Sequence, residues 1–457
     1  PLPKTATERR GGPLCPPRGG LDDDYCNSLF MRNEGPWGGA GGNVFTFLMQ
    51  FEKISFVEAV RSLAKSAGIE LPAPGTQGES GTPTEQDRAH ALCTLAAQHF
   101  HRNLTETQEG KMALEYLKHR GIGDAMITHF GLGYALNSWD AFLSHAREQG
   151  YAPEFVEKYG LARSREDGGH YDYFRGRVIF PVFTAAGRVV GFGARKLRED
   201  DPLGKYINSP ESPAYNKSRI LYGLSQSKEA IREADSALLV EGYMDLISVY
   251  QAGVKNVIAS SGTALAADQI QLIRRYTKNI TIVYDADSAG SKAAMRGVDL
   301  VLEQDMDVKV AMLPQGEDPD SFVRRAGAAG FVKLLGGSLS FVGFIIDARK
   351  EKDSSPEERS KTVRILMKTV ARMPDALKRD LYVKHISEKF GLRESVLQAE
   401  LSATLRSEGA ASQRRYQPPD REKPDAGEPP GTPQRPGGVI PAEERVLFAA
   451  LLRGGAD

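Results

Sequence analysis

Residues 237–319 read ALLVEGYMDLISVYQAGVKNVIASSGTALAADQIQLIRRYTKNITIVYDADSAGSKAAMRGVDLVLEQDMDVKVAMLPQGEDP. Four short apolar runs, Ala237 to Val240, Asn256 to Ala259, Ile280 to Tyr284 and Val308 to Met312, alternate with stretches long enough for a helix. That rhythm predicts a parallel α/β sheet. Acids stand where the runs end: Glu241 after the first, Asp285 and Asp287 at the third, Asp318 and Asp320 past the fourth. In an open parallel sheet, ligands bind beyond the carboxyl ends of the strands. Carboxylates gathered there, with no Cys or His beside them, suit a hard cation such as Mg²⁺. Asp285 and Asp287, two apart, would leave the same face of an extended backbone. Glu241 comes from a different strand and has to converge on them in space. Spacing alone leaves a second reading open, in which these are separate strand-end acids that cap helices or face water.

The whole chain sets the outer limits. At 457 residues it is too long for one ordinary core, and two to four domains are expected. Lys plus Arg number 59 and Asp plus Glu number 59, so affinity for a polyanion has to come from a local patch. Three Cys without regular spacing give no disulfide framework, which suits a reducing cytosol. No run of about 18 apolar residues suggests a membrane span. The first residues have no apolar core of a secretory signal. They also lack an initiator Met, so a fragment is expected.

Texture changes several times along the chain. Residues 1–42 are rich in Gly, Pro and charge without periodicity, and read as disordered. From Asn43, NVFTFLMQFEKISFVEAVRSLAKSAGIELP has apolar positions at helical spacing, with Ser55 and Glu58 as a capping box and Gly68 as a stop. Breakers and small polar residues at 73–84 form a linker. Residues 85–162 predict helices punctuated by Gly110, Gly121, Gly131 and Gly150, with Leu92, Leu95, Ala96, Phe100 and Leu104 as a core stripe. His99 and His101 fall on different helix faces and read as structural.

FRGRVIFPVFTAAGRVVGFGARKL, from Phe174, predicts a hairpin, with Pro181 at a bulge or an edge. Between Phe174 and Arg219 nine Lys or Arg stand against four Asp or Glu. With Phe180, Phe183, Phe192 and Tyr206 interleaved, this basic part could contact phosphates and stack bases, or be a solvated basic surface. Residues 331–406 predict helices, one starting at Ser354, Ser355 and Pro356. Residues 408–438 are a Pro, Gly and charge-rich linker, and the chain closes on the start of an amphipathic helix.

Several of these segments together resemble the bacterial DnaG-type DNA primases. VEGYMDLISVYQAGVKNVIASSGTAL, YDADSAGSKAAMRG and LPQGEDPDSF are similar, in order and spacing, to the Toprim catalytic core of that family. KYINSPESPAYNKSRILYGL resembles its basic polymerase stretch, and GGNVFTFLMQFEKISFVEAVRSLAKSAGIELP the tail of its zinc-binding domain. The resemblance implies a multidomain α/β protein whose Toprim parallel sheet is flanked by a basic α+β subdomain and helical subdomains. The expected division is a degenerate zinc-binding-type domain at 1–72 (1–38 patternless), a linker at 73–84 and a polymerase subdomain at 85–235. The Toprim subdomain follows at 236–325, a helical subdomain at 326–406, a disordered linker at 407–438 and a truncated helicase-interaction domain at 439–457.

The resemblance also implies roles. Glu241 becomes a general base or acid near metal, and Asp285 and Asp287 the metal-binding pair. Asp318 and Asp320 become further metal acids, and Asp245 the acid after the Gly-Tyr-Met turn. Arg175, Arg195, Lys205, Asn208 and Lys217 fall at template- or nucleotide-binding positions. Around Lys217 the family has His-Lys-Gly, where this chain has Asn216, Lys217 and Ser218. The implied activity is Mg²⁺- or Mn²⁺-dependent synthesis of RNA primers from ribonucleoside triphosphates on single-stranded DNA. The implied setting is a monomer at the bacterial cytoplasmic replisome, with a DnaB-type helicase as partner. Other Toprim enzymes, a nuclease or a topoisomerase, would use the same acids, though no tyrosine stands out as a strand-passing nucleophile. A non-catalytic adaptor is disfavoured by intact Glu241, Asp285 and Asp287.

The family pattern fails at the zinc site. Cys15 is the remnant of a Cys-Pro-x-His whose His position is Arg18, and Gly35 and Gly38 stand where two further Cys are expected. Cys26 has no partner at metal spacing. Four such ligands are needed to close a structural zinc tetrahedron, so Zn²⁺ is not expected to bind. Either the domain diverged, or the text before Gly39 is read in another frame.

Overall fold

The computed structural model describes residues 84–415, apart from Asp167, Asp200, 263–264, 285–287 and 350–354, together with 44–45, 60 and 63–64. The expectations on Cys15, Asp285, Asp287 and residues 439–457 lie outside the described residues, as do most of those on 43–72. The chain divides into two compact units, Pro1–Ser402 and Ala403–Asp457.

Helix α1 (Glu85–Glu106) begins where the Thr84 hydroxyl accepts from the Asp87 amide at 3.2 Å. Its buried Leu92, Cys93, Ala96, Phe100 and Leu104 recur every three or four residues. Helix α2 (Gln108–His119) is capped by Thr107. Gly110 does not end a helix here. A β-carbon on it would stand 2.0 Å from the Asn103 carbonyl oxygen, so the residue is needed for the close turn of α2 onto α1. Helix α3 (Asp124–His129) precedes strand β1 (Gly133–Ala135), α4 (Ala141–Glu148) and α5 (Pro153–Lys158) follow it, and β2 (Ala162–Ser164) pairs with β3 (His170–Asp172).

The expected hairpin is β4 (Arg177–Phe183) and β5 (Val189–Lys196), extended by β6 (Tyr206–Asn208) into an antiparallel sheet of order β1-β4-β5-β6. Pro181 is not on an edge strand, yet the β1 pairing reaches only Arg177 to Ile179, so no ladder bond is asked of Pro181 on that side. The register shifts just beyond it, between Val182 and Phe183. One face of this sheet packs Ile179, Phe192 and Ala194 on α1. The other turns Val178, Phe180 and Val182 into a second core.

After α6 (Leu224–Ala234) comes the parallel sheet: β7 (Ala237–Val240), α7 (Tyr243–Gln251), β8 (Val257–Ala259), α8 (Ala267–Arg274), β9 (Asn279–Tyr284), α9 (Ser288–Glu303) and β10 (Asp307–Met312). Every residue of β7 is buried, as a strand covered on both faces requires. Helix α10 (Pro319–Gly336) leads to β11 (Leu339–Ser340), which pairs antiparallel with β10 and which no sequence signal announced. The order is β11-β10-β9-β7-β8. Helices α11 (Phe341–Ala348), α12 (Pro356–Ala371), α13 (Ala376–Phe390) and α14 (Glu394–Arg415) follow, and α12 begins at the cap Ser355. The second core continues from Phe180 on the basic sheet into Leu238, Val240, Tyr243 and Leu246, so the two sheets share one apolar interior.

Candidate active site

The chain runs from β7 to β8 on one side, then crosses to β9 on the other side of β7. Such a reversal opens a crevice at the carboxyl ends of the two central strands, here β7 and β9. Glu241 follows β7 directly. It is half-buried, and its carbonyl accepts from the Ser261 amide at 3.0 Å. Strand β9 ends at Tyr284, one residue before Asp285 in the sequence. Among the described residues no group of three His, Cys, Asp or Glu is placed to hold a metal. Glu241, and the Asp285 and Asp287 that come after β9 in the sequence, are all carboxylates, a donor chemistry that fits a hard divalent cation.

The other expected acids have structural posts. Asp245 accepts from the Gly242 amide at 3.0 Å and caps the first turn of α7. Asp318 caps α10, accepting from the Ser321 amide at 2.7 Å. Burial pushes the Asp318 carboxyl up, but Ser321, Arg120 and Arg324 outweigh it and hold the group below the usual range. Asp320 is fully buried. Arg120 and Arg324 pair with one of its oxygens, and the Ser248 hydroxyl donates to the other at 2.5 Å. A carboxylate so enclosed ties α2, α7 and α10 together, so we assign Asp320 to that tie and not to metal.

The basic residues also divide. Arg175 lies 4.3 Å from the Trp139 ring centroid and 5.0 Å from that of Tyr171, and donates to the Asp172 carbonyl at 2.7 Å. Arg165 stacks on the same two rings, and Trp139 is 58% exposed. Beside them lies a cavity of about 260 Å³ lined by Trp139, Arg175, Arg177 and Arg198. Arg195 sits 4.4 Å from the Tyr116 ring centroid. Lys205 is exposed, and Lys217 opens a 3₁₀ turn capped by Asn216, whose side-chain oxygen accepts from the Ser218 amide at 3.0 Å. The Asn that replaces the family's His thus shapes the turn that carries the lysine. Asn208 faces inward: its amide nitrogen donates to the Ser261 carbonyl at 2.9 Å, and its oxygen accepts from the Tyr243 hydroxyl at 2.7 Å. It bridges the two sheets. Sequence reading missed Trp139, Tyr116 and Arg120, because the arginines around Trp139 come from residues 26 and 36 positions on and no local motif marks any of the three.

Four family models match. The DNA primase catalytic core, N-terminal domain, covers residues 99–228, and a Toprim-like domain covers 238–323. The DnaB-helicase binding domain of primase covers 344–395, and a CHC2 zinc finger covers 37–79. A curated DNA primase of Geobacillus stearothermophilus is 36% identical over 423 residues, which are 91% of this chain and 68% of that protein. The chain belongs to the bacterial DnaG-type DNA primase family. The DNA primase of Halalkalibacterium halodurans is 40% identical over 371 residues, 79% of this chain. The chain spans about three fifths (61%) of that relative's length. The crystal structure of a DNA primase domain from Pseudomonas aeruginosa matches with a TM-score of 0.63 at 32% identity, covering 69% of this chain and 99% of that one.

Two expectations shift against the primase family models. The helicase-binding model falls on α11–α13, earlier than the 439–457 segment to which the sequence reading gave that role. The zinc-finger model begins at residue 37, leaving Cys15 and Cys26 outside it. No His precedes His90, so the residues present do not fit a tetrahedral zinc site.

Proposed function

We propose that the chain synthesises RNA primers on single-stranded DNA by nucleotidyl transfer. A 3′-hydroxyl attacks the α-phosphorus of an incoming ribonucleoside triphosphate, the new phosphodiester forms, and pyrophosphate leaves. The observation that carries this reading is the crevice at the carboxyl ends of β7 and β9, with Glu241 at its edge and a basic sheet built on the same core. Family membership supports it independently.

Glu241, Asp285 and Asp287 would hold Mg²⁺ or Mn²⁺. When bound, the cation would offset charge that builds on the transferring phosphoryl group. The chain's own work is positioning. Arg175 and Arg195 offer guanidinium forks to phosphate, while Lys205 and Lys217 act as point charges. Trp139, exposed among Arg165 and Arg175, is the aromatic an unpaired base could meet beside these charges. Backbone contacts of this kind make template binding salt-sensitive. The helical segment 344–395 is the proposed contact for a DnaB-type helicase. The working form is proposed to be a monomer in the bacterial cytoplasm.

The test is ribonucleotide incorporation on a single-stranded template with Mg²⁺, comparing the wild type with Asp285→Ala and Asp287→Ala. Loss of product in both variants is expected. Equal product from all three would sink the catalytic assignment.

A further inference from the structure

Arg195 on β5 pairs directly with Tyr206 on β6, and Gly193, two residues away, shares its face of the sheet. The guanidinium lies 4.4 Å from the Tyr116 ring centroid and 6.0 Å from that of Tyr206. One of its terminal nitrogens donates to the Lys196 carbonyl at 3.2 Å, and its Nε is buried without a hydrogen-bond partner. Arg120, which bonds the same Tyr116, is neutralised by Asp320. Among the described residues Arg195 has no such carboxylate.

Tyr116 is itself fixed. Its hydroxyl accepts from Arg120 at 3.2 Å, and Arg120 is anchored on Asp320 beside Ser248 and Arg324. A ring held this way keeps the Arg195 plane in one orientation before any ligand arrives. Little side-chain freedom is then lost on binding, and the free edge of the fork stays available to an oxyanion.

We propose that Tyr116 is a positioning residue: its ring is the platform that aims the Arg195 guanidinium at a phosphate of the template or of a ribonucleoside triphosphate. The identity of that phosphate rests on the primer-synthesis reading. The platform itself rests on the geometry of Tyr116, Arg120, Arg195 and Asp320.

The test is a double-mutant cycle on the full chain with two equilibrium titrations, one with a fluorescent deoxythymidine oligonucleotide and one with ATP. Tyr116→Leu and Tyr116→Met both remove the π face, and Tyr116→Phe keeps it. Unfolding midpoints identify any variant that fails to fold. In whichever titration Arg195→Gln weakens binding, Tyr116→Leu or Tyr116→Met is expected to weaken it roughly five- to tenfold. Tyr116→Phe keeps the π face and loses only the Arg120 bond, so it is expected to weaken binding clearly less than Tyr116→Leu or Tyr116→Met. The double variant with Arg195→Gln should bind no more weakly than Arg195→Gln alone. Additive losses, equal losses in Phe and Leu, or no effect of Arg195→Gln on either ligand would overturn the proposal. Polymerisation is assayed separately. A wild type that binds but incorporates nothing defeats the primer-synthesis reading, and the binding cycle still decides the role of Tyr116.

Discussion

Tyr243 lies so close to Gly193 that a β-carbon there would stand 2.2 Å from its Cζ and 2.4 Å from its hydroxyl oxygen. Gly193 needs no left-handed backbone. It is glycine because the first residue of α7 presses its ring onto β5 at this point. The ring has nowhere to retreat, being stacked on Phe180 at 4.9 Å, edge-on to Tyr222 at 4.7 Å and hydrogen-bonded to Asn208. This is where the basic sheet and the acidic crevice are held together.

Gly193→Ala should therefore push the two sheets apart. Overpacking of this kind destabilises by roughly 1–3 kcal/mol. Urea unfolding would show a lower midpoint, and ribonucleotide incorporation should fall further than stability alone explains. An unchanged midpoint would mean that the ring can move aside.

Tyr243→Phe is a milder test of the same joint. It removes the donor to Asn208 and leaves that side-chain oxygen half-buried without its partner. A loss of about 1–2 kcal/mol is expected. Asn208→Ala should cost more, because it also loses the bond to the Ser261 carbonyl, with the double variant less than additive because both substitutions break the Tyr243–Asn208 bond. If Asn208→Ala instead leaves stability unchanged and weakens nucleotide binding, Asn208 is a ligand contact and not a bridge.

Much of this joint was legible in pieces but not as a joint. The runs that became β7 to β10 were found within a residue of their ends, because these strands are short, mostly apolar and flanked by turn residues. The hairpin at Phe174 was visible for the same reason. The post of Asp320 was hidden: in Glu-Asp-Pro-Asp it looks equivalent to Asp318. Yet Pro319 begins α10, so Asp318 is the cap and Asp320 lies on the helix, where it turns into the protein. The stacking of Arg195 on Tyr116 joins a strand to a distant helix, and no local spacing encodes such a contact. Strand β11, two residues long, is too short to carry a period.

Two groups drawn out of water should bend stability against pH in opposite directions. Burial raises the Asp172 carboxyl to about 6, although the Phe142 and Leu143 amides hydrogen-bond it at 2.8 and 2.9 Å. The folded chain holds that proton more tightly than the unfolded one, so stability falls as pH rises from about 4 to about 6. Burial, with His145 and Arg102 adding to it, lowers His99 to about 4. The folded chain holds this proton less tightly, and stability rises from about pH 4 to about 6.5. Thermal midpoints should consequently climb more steeply with pH in Asp172→Asn, where the Asp172 slope is gone and the His99 slope remains. They should decline with pH in His99→Phe. The same pH profile in both variants would contradict the assignment.

Zinc is the final test, because family membership and donor chemistry disagree about it. The primase zinc-finger model matches residues 37–79, yet the chain's only thiols are Cys15, Cys26 and Cys93, and its first His is His90. Cys93 is 1% exposed on the core face of α1, and burial pushes its thiol up to about 12. A metal needs the thiolate, so Cys93 is unavailable as a ligand. Two remaining thiols without an imidazole leave a zinc tetrahedron half made. Elemental analysis of the purified chain should find well under one zinc per molecule, and a chelator should leave the unfolding midpoint unchanged. One tightly bound zinc per chain, with a midpoint that drops on chelation, would require ligands of another kind and would overturn the reading of Arg18, Gly35 and Gly38 as lost positions.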